Sequence, residues 1–373
     1  MRKFFHISIP FLCLTWACWT IGFCASAYAG NPQTPEEAQP KTPKKEFKAG
    51  DFIFDHIGDA HDWHIFTVGS KHVSVPLPII VYSRTRGKLY AFMSSKFHHG
   101  YDSYRGFRLM KYGEYKGKIV EVDDKDVKLE GAPLPLDFSI KKNVAAIFFS
   151  VILMLALFIP IANKYKREGV VAPRGAQNLV ETVILFVRDE IARPSIGEKH
   201  YARFMPFLLS LFFFIWINNL LGLIPIFPAG ANVTGNIAVP MGLAIVTLLT
   251  IAVNGNSNYW KHIFNTPGVP IFLKLPIPIM PFVEVMGMFI KPFVLMVRLF
   301  ANILAGHIIV MVLLSLIFIF GALNVYLGLG ISPVSLLLSV FMKILELLVA
   351  AIQAFVFTML SSLYLGMAVE EHH

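Results

Sequence analysis

Long apolar segments occupy most of the sequence after residue 140, and they restrict the possible folds more than any other feature. Between residues 205 and 369 there are only seven charged side chains, which are Lys261, Lys274, Glu284, Lys291, Arg298, Lys343 and Glu346. Soluble proteins carry about 25% charged residues, whereas this chain of 373 residues carries 15% and has a mean hydropathy of +0.60. The composition therefore predicts a membrane protein.

Five segments are long and apolar enough to be membrane spans. They cover residues 143–162, 204–226, 237–253, 283–322 and 334–369. A bilayer core of about 30 Å needs roughly 20 residues of helix. The last two segments, of roughly 40 and 36 residues, correspond to about 60 and 54 Å of helix and must cross at a strong tilt. Residues 141–373 are thus predicted to form an all-α polytopic membrane domain with about five transmembrane helices.

The positive charges predict the orientation of these spans. Eight Lys and Arg residues lie between the first two segments, at positions 164, 166, 167, 174, 188, 193, 199 and 203, and none lies in residues 228–236 or 324–332. Since loops rich in Lys and Arg stay in the cytoplasm, we expect a bacterial inner membrane protein with its C-terminus inside. Apolar and charged residues alternate through residues 179–191, which predicts an amphipathic helix on the cytoplasmic surface.

The first fifty residues predict targeting and tethering rather than folded structure. Residues 1–29 combine Arg2 and Lys3, an apolar run and an Ala27-Tyr28-Ala29 site, as a cleavable signal peptide does. The apolar run is long for a signal, so an uncleaved anchor helix is the alternative. All cysteines lie in this segment, so a processed chain would contain no thiol. Residues 30–50 are rich in Pro, Glu and Lys, which predicts a disordered tether.

Residues 51–137 have a different composition and predict a small exported domain rich in strands. Short β-branched and aromatic runs at residues 65–68, 72–82 and 118–122 are separated by Gly and Asp. Four residues of this region have the ligand types and close spacing of a zinc or copper site, namely His56, Asp59, His61 and His64. A structural or surface role is favoured for them, because no strand or helix assignment directs these side chains to one point.

Charged and polar residues inside the fourth segment lie on one helix face. Glu284, Lys291, Arg298 and Asn302 are spaced by 7, 7 and 4 residues, which places them within roughly 40° of each other. Arg298 stays protonated, and an unpaired Arg costs at least about 2.5 kcal/mol at this depth. Its own helix offers no acid one turn away, so its partner must come from another helix or another chain. Lys291 could instead extend toward the cytoplasmic interface.

Polar groups in membrane helices usually mark an ion path, and this reading fits Glu284, Arg298, His307, Glu346 and Gln353. Carboxylate and imidazole groups can pass protons, because burial and neighbouring charges shift their pKa values into the working range. A fixed cation has the opposite effect, since it repels a proton and attracts a carboxylate that has just lost one. The pattern therefore predicts proton translocation past a fixed arginine.

The stretch KPFVLMVRLFANILAGH, residues 291–307, resembles subunit a of the rotary ATP synthase membrane sector. QAFVF from residue 353 and YLGMAVEEH from residue 364 resemble the C-terminal signature of that family. The resemblance implies that Arg298 faces the carboxylate of the rotating c-ring, beside Asn302 and Gln353. It also implies that Glu284 lines a cytoplasmic half-channel, with Lys291 as an accessory residue.

His307 and Glu346 would line the outer half-channel. Bacterial members often carry Glu and His at these two positions, so the order in this chain resembles mitochondrial members. If Arg298 lies level with Gln353 in an antiparallel helix pair, His307 falls level with residue 344. Glu346 is then within one turn, so the acid–imidazole pair is retained in spite of the exchange.

The resemblance implies a stator subunit whose partners are the c-ring subunits, the peripheral-stalk b subunits, the soluble ATPase sector and membrane lipid. The chain has no G-x-x-x-x-G-K-[ST] loop, so we expect it to bind no nucleotide. The resemblance further implies a subunit that is not a catalyst alone, and we expect no cofactor. Nucleic-acid binding is not expected, because the surplus Lys and Arg residues form no folded basic face. The main alternative is a self-contained ion-coupled transporter, which predicts inverted repeats. An intramembrane hydrolase would need a nucleophile with a paired base in the spans.

Overall fold

The computed structural model describes residues 58–68, 71–111, 113–123, 127–129, 131–169, 175–224, 229–264 and 279–370. The predicted signal peptide, the predicted tether and His56 lie outside these residues. Within them the predicted fold class is confirmed, since a small strand-rich region precedes a membrane part built of helices.

The described residues of the strand-rich region form seven antiparallel strands in three small sheets. They are β1 Asp62–Val68, β2 Lys71–Pro76, β3 Pro78–Ser83, β4 Lys88–Met93, β5 Phe107–Leu109, β6 Ile119–Glu121 and β7 Leu136–Asp137. β1 pairs with β2, β5 pairs with β6, and β3 lies between β4 and β7. Ile79 and Val81 of β3 pack against Phe107 of β5, Ile119 of β6 and Phe97, and together they form the core of this region.

Within the described ranges, eight α-helices follow the strands. They are α1 Lys142–Glu168, α2 Ala176–Phe186, α3 Arg193–Ile196, α4 Tyr201–Leu223, α5 Ala238–Asn254, α6 Ser257–Phe264, α7 Ile279–Leu323 and α8 Val325–Val369. Four described helices are long and apolar enough to cross a membrane, and a fifth span results if α5 and α6, bent by 105°, count as one. α4 is the most buried of the four long helices, and α8 and α1 pack against it. α5 packs against α7.

α7 and α8 form a hairpin of unusual length. Each has 45 residues, or about 67 Å of helix, more than twice the thickness of a bilayer core, so both must cross at a strong tilt. Only Asn324 separates them, and its side-chain oxygen accepts a hydrogen bond from the N–H of Tyr326 at 2.9 Å, which caps α8.

The predicted amphipathic helix is present as α2 and continues through a π-helical segment, Val187–Ala192, into α3. Val187 and Ile191 are fully buried, whereas Leu179 is exposed. The Ser362 hydroxyl donates to the carbonyl of Ile191 at 3.3 Å. The apolar face of this segment therefore packs against the last turns of α8.

The strand-rich region is joined to the first turn of α1 by hydrogen bonds. The N–H of Lys142 donates to the carbonyl of Ala60 at 2.9 Å, and the N–H of Asn143 donates to Asp59 Oδ1 at 3.1 Å. These bonds satisfy amides that a helix cannot satisfy internally at its N-terminus. Trp63 of β1 lies in one apolar cluster with residues of α1. The two parts of the chain therefore share a packed junction.

Candidate functional site

The exposed face of α7 carries the arginine that the sequence singled out. Arg298 and Asn302 are both exposed, while Leu295 and Leu299 of the same helix are buried against the bundle. Within the part of the chain that the structure describes, Arg298 has no ion pair and no hydrogen bond. Arg298 and Asn302 are thus polar residues on an exposed helix face whose other neighbours, such as Val294 and Val297, are apolar.

His307 of α7 meets Glu346 of α8 inside the hairpin. His307 Nδ1 lies 2.5 Å from Glu346 Oε1, and the Glu346 side chain is almost fully buried. Gly306 makes this approach possible, because a Cβ at that position would lie only 3.2 Å from Glu346 Oε1. The structure therefore brings together an imidazole and a carboxylate from two helices, at a distance that allows proton exchange.

Lys343 is a third member of this cluster, and the sequence analysis gave it no role. Its Nζ lies 2.8 Å from Glu346 Oε2, so the two carboxylate oxygens contact two different basic groups. The sequence does contain a sign of this contact, because Lys343 and Glu346 are three residues apart on one helix and so lie on the same face. A half-buried ammonium therefore lies against the buried carboxylate.

The register of the hairpin places Gln353 near the level of Arg298. On one side of this level the Lys291 ammonium lies 5.3 Å from the centre of the Tyr364 ring. On the other side Gly306 contacts Glu346. Arg298 and Gln353 both fall between these two contacts, and Gln353 is buried.

Glu284 does not join this group. It is half-buried near the start of α7, and its charge interacts with the Tyr259 side chain of α6. Fourteen residues separate it from Arg298, or about 21 Å along the helix axis. Lys291 lies between them and contacts an aromatic ring on α8. The predicted site residues therefore form two groups at different depths, with Arg298 between them.

Buried amides extend the polar cluster toward α4. The side chain of Asn219 donates from Nδ2 to the carbonyl of Ala350 at 3.4 Å, one turn of α8 from Glu346. Thr234 donates to Asn219 Oδ1 at 2.6 Å. Asn218 Oδ1 is buried and has no partner among the described residues. Buried polar atoms usually bind an ordered water when they lack a protein partner, so this is a place where water would be stabilised.

The weak metal-site candidates in the strand-rich region have other contacts. His61 Nε2 lies 2.8 Å from Asp137 Oδ2, and Asp59 accepts a hydrogen bond from the first turn of α1. Burial raises the pKa of Asp59, although that hydrogen bond opposes the shift. No three His, Cys, Asp or Glu residues within the described ranges are grouped as a metal site would require. The contacts of His61 and Asp59 fit the structural role that the sequence favoured.

Comparison with known proteins gives matches to both parts of the chain. A family model described as "ATP synthase A chain" matches residues 144–366, and one described as "Domain of unknown function (DUF8433)" matches residues 52–138. A relative named ATP synthase subunit a from Chloroherpeton thalassium is 41% identical over 245 residues, which are 63% of this chain and 69% of the relative. A relative of the same name from Myxococcus xanthus is 43% identical over 244 residues, which are 64% of this chain and 75% of the relative.

Proposed function

Since the chain belongs to the ATP synthase A chain family and is thus a multi-pass membrane subunit of an ATP synthase, we propose that it forms the stationary half of that enzyme's proton path. In this proposal the chain binds no nucleotide and catalyses no bond change itself. It lies in the bacterial inner membrane with the strand-rich region outside and the C-terminus in the cytoplasm. Its neighbours are the c-ring, the b subunits of the peripheral stalk and the soluble ATPase sector.

The observation that carries this proposal is the position of Arg298. An arginine exposed on an apolar helix, without an anion in the described chain, needs a carboxylate from outside. A c-ring carboxylate passing along α7 would supply that charge. Arg298 would then attract each deprotonated carboxylate and repel its proton, so that protons cannot pass directly between the two half-channels.

His307, Glu346 and Lys343 would serve the outer half-channel. Protons would reach Glu346 or His307 through water held near Asn218 and Asn219, and then move to the c-ring carboxylate. The direct contact of His307 and Glu346 supports this step, since it lets one proton exchange between them. Glu284 would serve the cytoplasmic half-channel, where the proton leaves after the ring has turned.

Removal of the arginine charge tests the proposal. In Arg298→Ala, we expect ATP-driven proton pumping into inverted membrane vesicles to fall to background, because nothing then separates the two half-channels or displaces the proton. Pumping is measured by quenching of a pH-sensitive dye. Assembly is measured by co-purification of the c-ring and the soluble sector, and we expect it to be retained.

Arg167→Ala is the matched control, since Arg167 is an exposed arginine in the last turn of α1. We expect this variant to pump normally. Normal pumping by Arg298→Ala would refute the proposed role of the arginine. A chain purified without the other subunits that still moves protons would instead support a self-contained transporter.

A further inference from the structure

One face of the sheet formed by β3, β4 and β7 is apolar, and the described residues leave it largely open. Residues that pair directly across an antiparallel sheet project from the same face. The pairing therefore groups Pro78 with Met93, Ile80 with Ala91, and Tyr82 with both Leu89 and Leu136. Phe138 continues this face, because its N–H donates to the carbonyl of Ile80 at 2.8 Å. We call these eight residues the outer sheet face.

Five of the eight residues of the outer sheet face are exposed, and the other three are half-buried. Leu89 is 62% exposed, Met93 43% and Phe138 42%. The other face of β3 is closed, since Ile79 and Val81 are fully buried in the core of the strand-rich region. An antiparallel sheet with one face in water normally alternates apolar and polar residues. Strands that are apolar on both faces are typical of a sheet that is covered on both sides.

The position of this face in the chain indicates what covers it. Phe138 precedes the first residue of α1 by four positions, and hydrogen bonds join the strand-rich region to that helix. Trp63 of β1 shares an apolar cluster with Ala146 and Ile147, in the second turn of α1. The strand-rich region therefore reaches the depth at which a membrane span begins, which is the interfacial layer of the bilayer.

We propose that the outer sheet face docks on the lipid bilayer and inserts into its interfacial layer beside α1. The end of the face farthest from α1 carries the β3–β4 turn, in which Arg84 is exposed. Lys88, the first residue of β4, is exposed next to this turn. Cations at such a position attract the phosphates of anionic headgroups. Aromatic side chains such as Tyr82 are enriched at the membrane–water boundary. This inference does not depend on the proposed proton path.

Quenching of an introduced tryptophan by brominated lipid tests the proposal. The full chain carrying Leu89→Trp is reconstituted into vesicles of phosphatidylglycerol and phosphatidylcholine, with or without bromine on the acyl chains. The fluorescence of the new tryptophan is the emission of the variant minus that of the unsubstituted chain. We expect brominated lipid to quench most of this difference. Met93→Trp, at another exposed position of the same strand and face, should behave alike.

Glu114→Trp is the control, since Glu114 is exposed in the β5–β6 hairpin, which packs on the opposite face of β3. We expect its added emission to be insensitive to brominated lipid and to be quenched by iodide in the aqueous phase. Iodide quenching of Leu89→Trp and Met93→Trp would overturn the proposal, because the face would then lie in water. Insensitivity of both to lipid bromine and to iodide would also overturn it, because another protein surface would then cover the face.

Discussion

Gly306 determines how closely α7 approaches the carboxyl group of Glu346. A Cβ at this position would lie 3.2 Å from Oε1 and 3.3 Å from the carboxyl carbon. We expect Gly306→Ala to displace the carboxylate from His307 and to slow passive proton conduction through vesicles stripped of the soluble sector. Overpacking of this kind also destabilises a protein by about 1–3 kcal/mol.

The matched control for Gly306→Ala is Gly287→Ala in the same helix, where nothing lies within 4 Å of the added carbon. Its proton conduction should equal that of the unsubstituted protein. Equal conduction by both variants would mean that the close approach at Gly306 has no part in proton transfer.

The acid–imidazole pair predicts that its two members can be exchanged. His307→Glu alone places two carboxylates in contact, and Glu346→His alone places two imidazoles in contact, next to Lys343 in either case. Like charges at this distance disfavour each other's ionised forms. We expect the double variant His307→Glu with Glu346→His to synthesise ATP faster than either single variant. The rates are measured after an acid–base jump, and a double variant no faster than the slower single one would contradict the pairing.

The helices of the membrane part were predictable from sequence, but some of their ends were not. The fourth apolar segment, residues 283–322, corresponds closely to α7. The last one was expected to start at residue 334, whereas α8 starts at Val325. Gly328, Gly330 and Pro333 in the added turns favour a loop in water. Membrane helices tolerate such residues, and Gly328 lets the two helices approach closely at Gly321.

The motif spacing located Arg298, His307 and Glu346, because those side chains differ chemically from the apolar helix around them. Lys343 was missed as a member of the cluster, although its i, i+3 spacing from Glu346 on one helix was an available signal. The π-helical segment Val187–Ala192 was also not predictable. Its wider turn depends on packing against α8 rather than on a local pattern.

The end of α8 is held by an unusually close contact with α3. A Cβ on Gly366 would lie 1.9 Å from the carbonyl oxygen of Ser195, which is backbone and cannot rotate away. We therefore expect Gly366→Ala to separate α8 from the π-helical segment and α3, and to lower the midpoint of thermal unfolding of the purified complex. Gly330→Ala in the same helix meets no atom within 4 Å and should leave the midpoint unchanged. Equal midpoints for the two variants would disprove this contact.

The junction of the strand-rich region and the membrane part contains a charged cluster that should respond to acid. Asp137 is buried, which by itself raises its pKa, but the hydrogen bond from His61 and the charges of His61 and Lys141 lower the pKa of Asp137 well below 3.8. A carboxyl group whose folded pKa is depressed contributes stability above its unfolded pKa and loses it as the pH falls toward the folded value. The contribution of Asp137 should thus be complete at neutral pH and decline below pH 3.8.

We expect Asp137→Asn to speed hydrogen exchange of the β3 and β7 amides at neutral pH. The difference from the unsubstituted chain, after correction for intrinsic exchange rates, should shrink as the pH falls below 3.8. Asp102→Asn is the control, because Asp102 is an exposed partner of His98 away from the junction. A difference for Asp137→Asn that is constant with pH would show that its charge is not involved.

The exposed Arg298 of α7 affects how stable the subunit is before it joins its neighbours. A newly inserted copy without neighbours exposes the Arg298 guanidinium to acyl chains, at a cost of at least about 2.5 kcal/mol. Association with an anionic neighbour would remove that cost, so binding of such a neighbour would stabilise the hairpin by mass action. Maturation of the polypeptide and its incorporation into the complex would then be thermodynamically coupled, with an orphan copy as the less stable state.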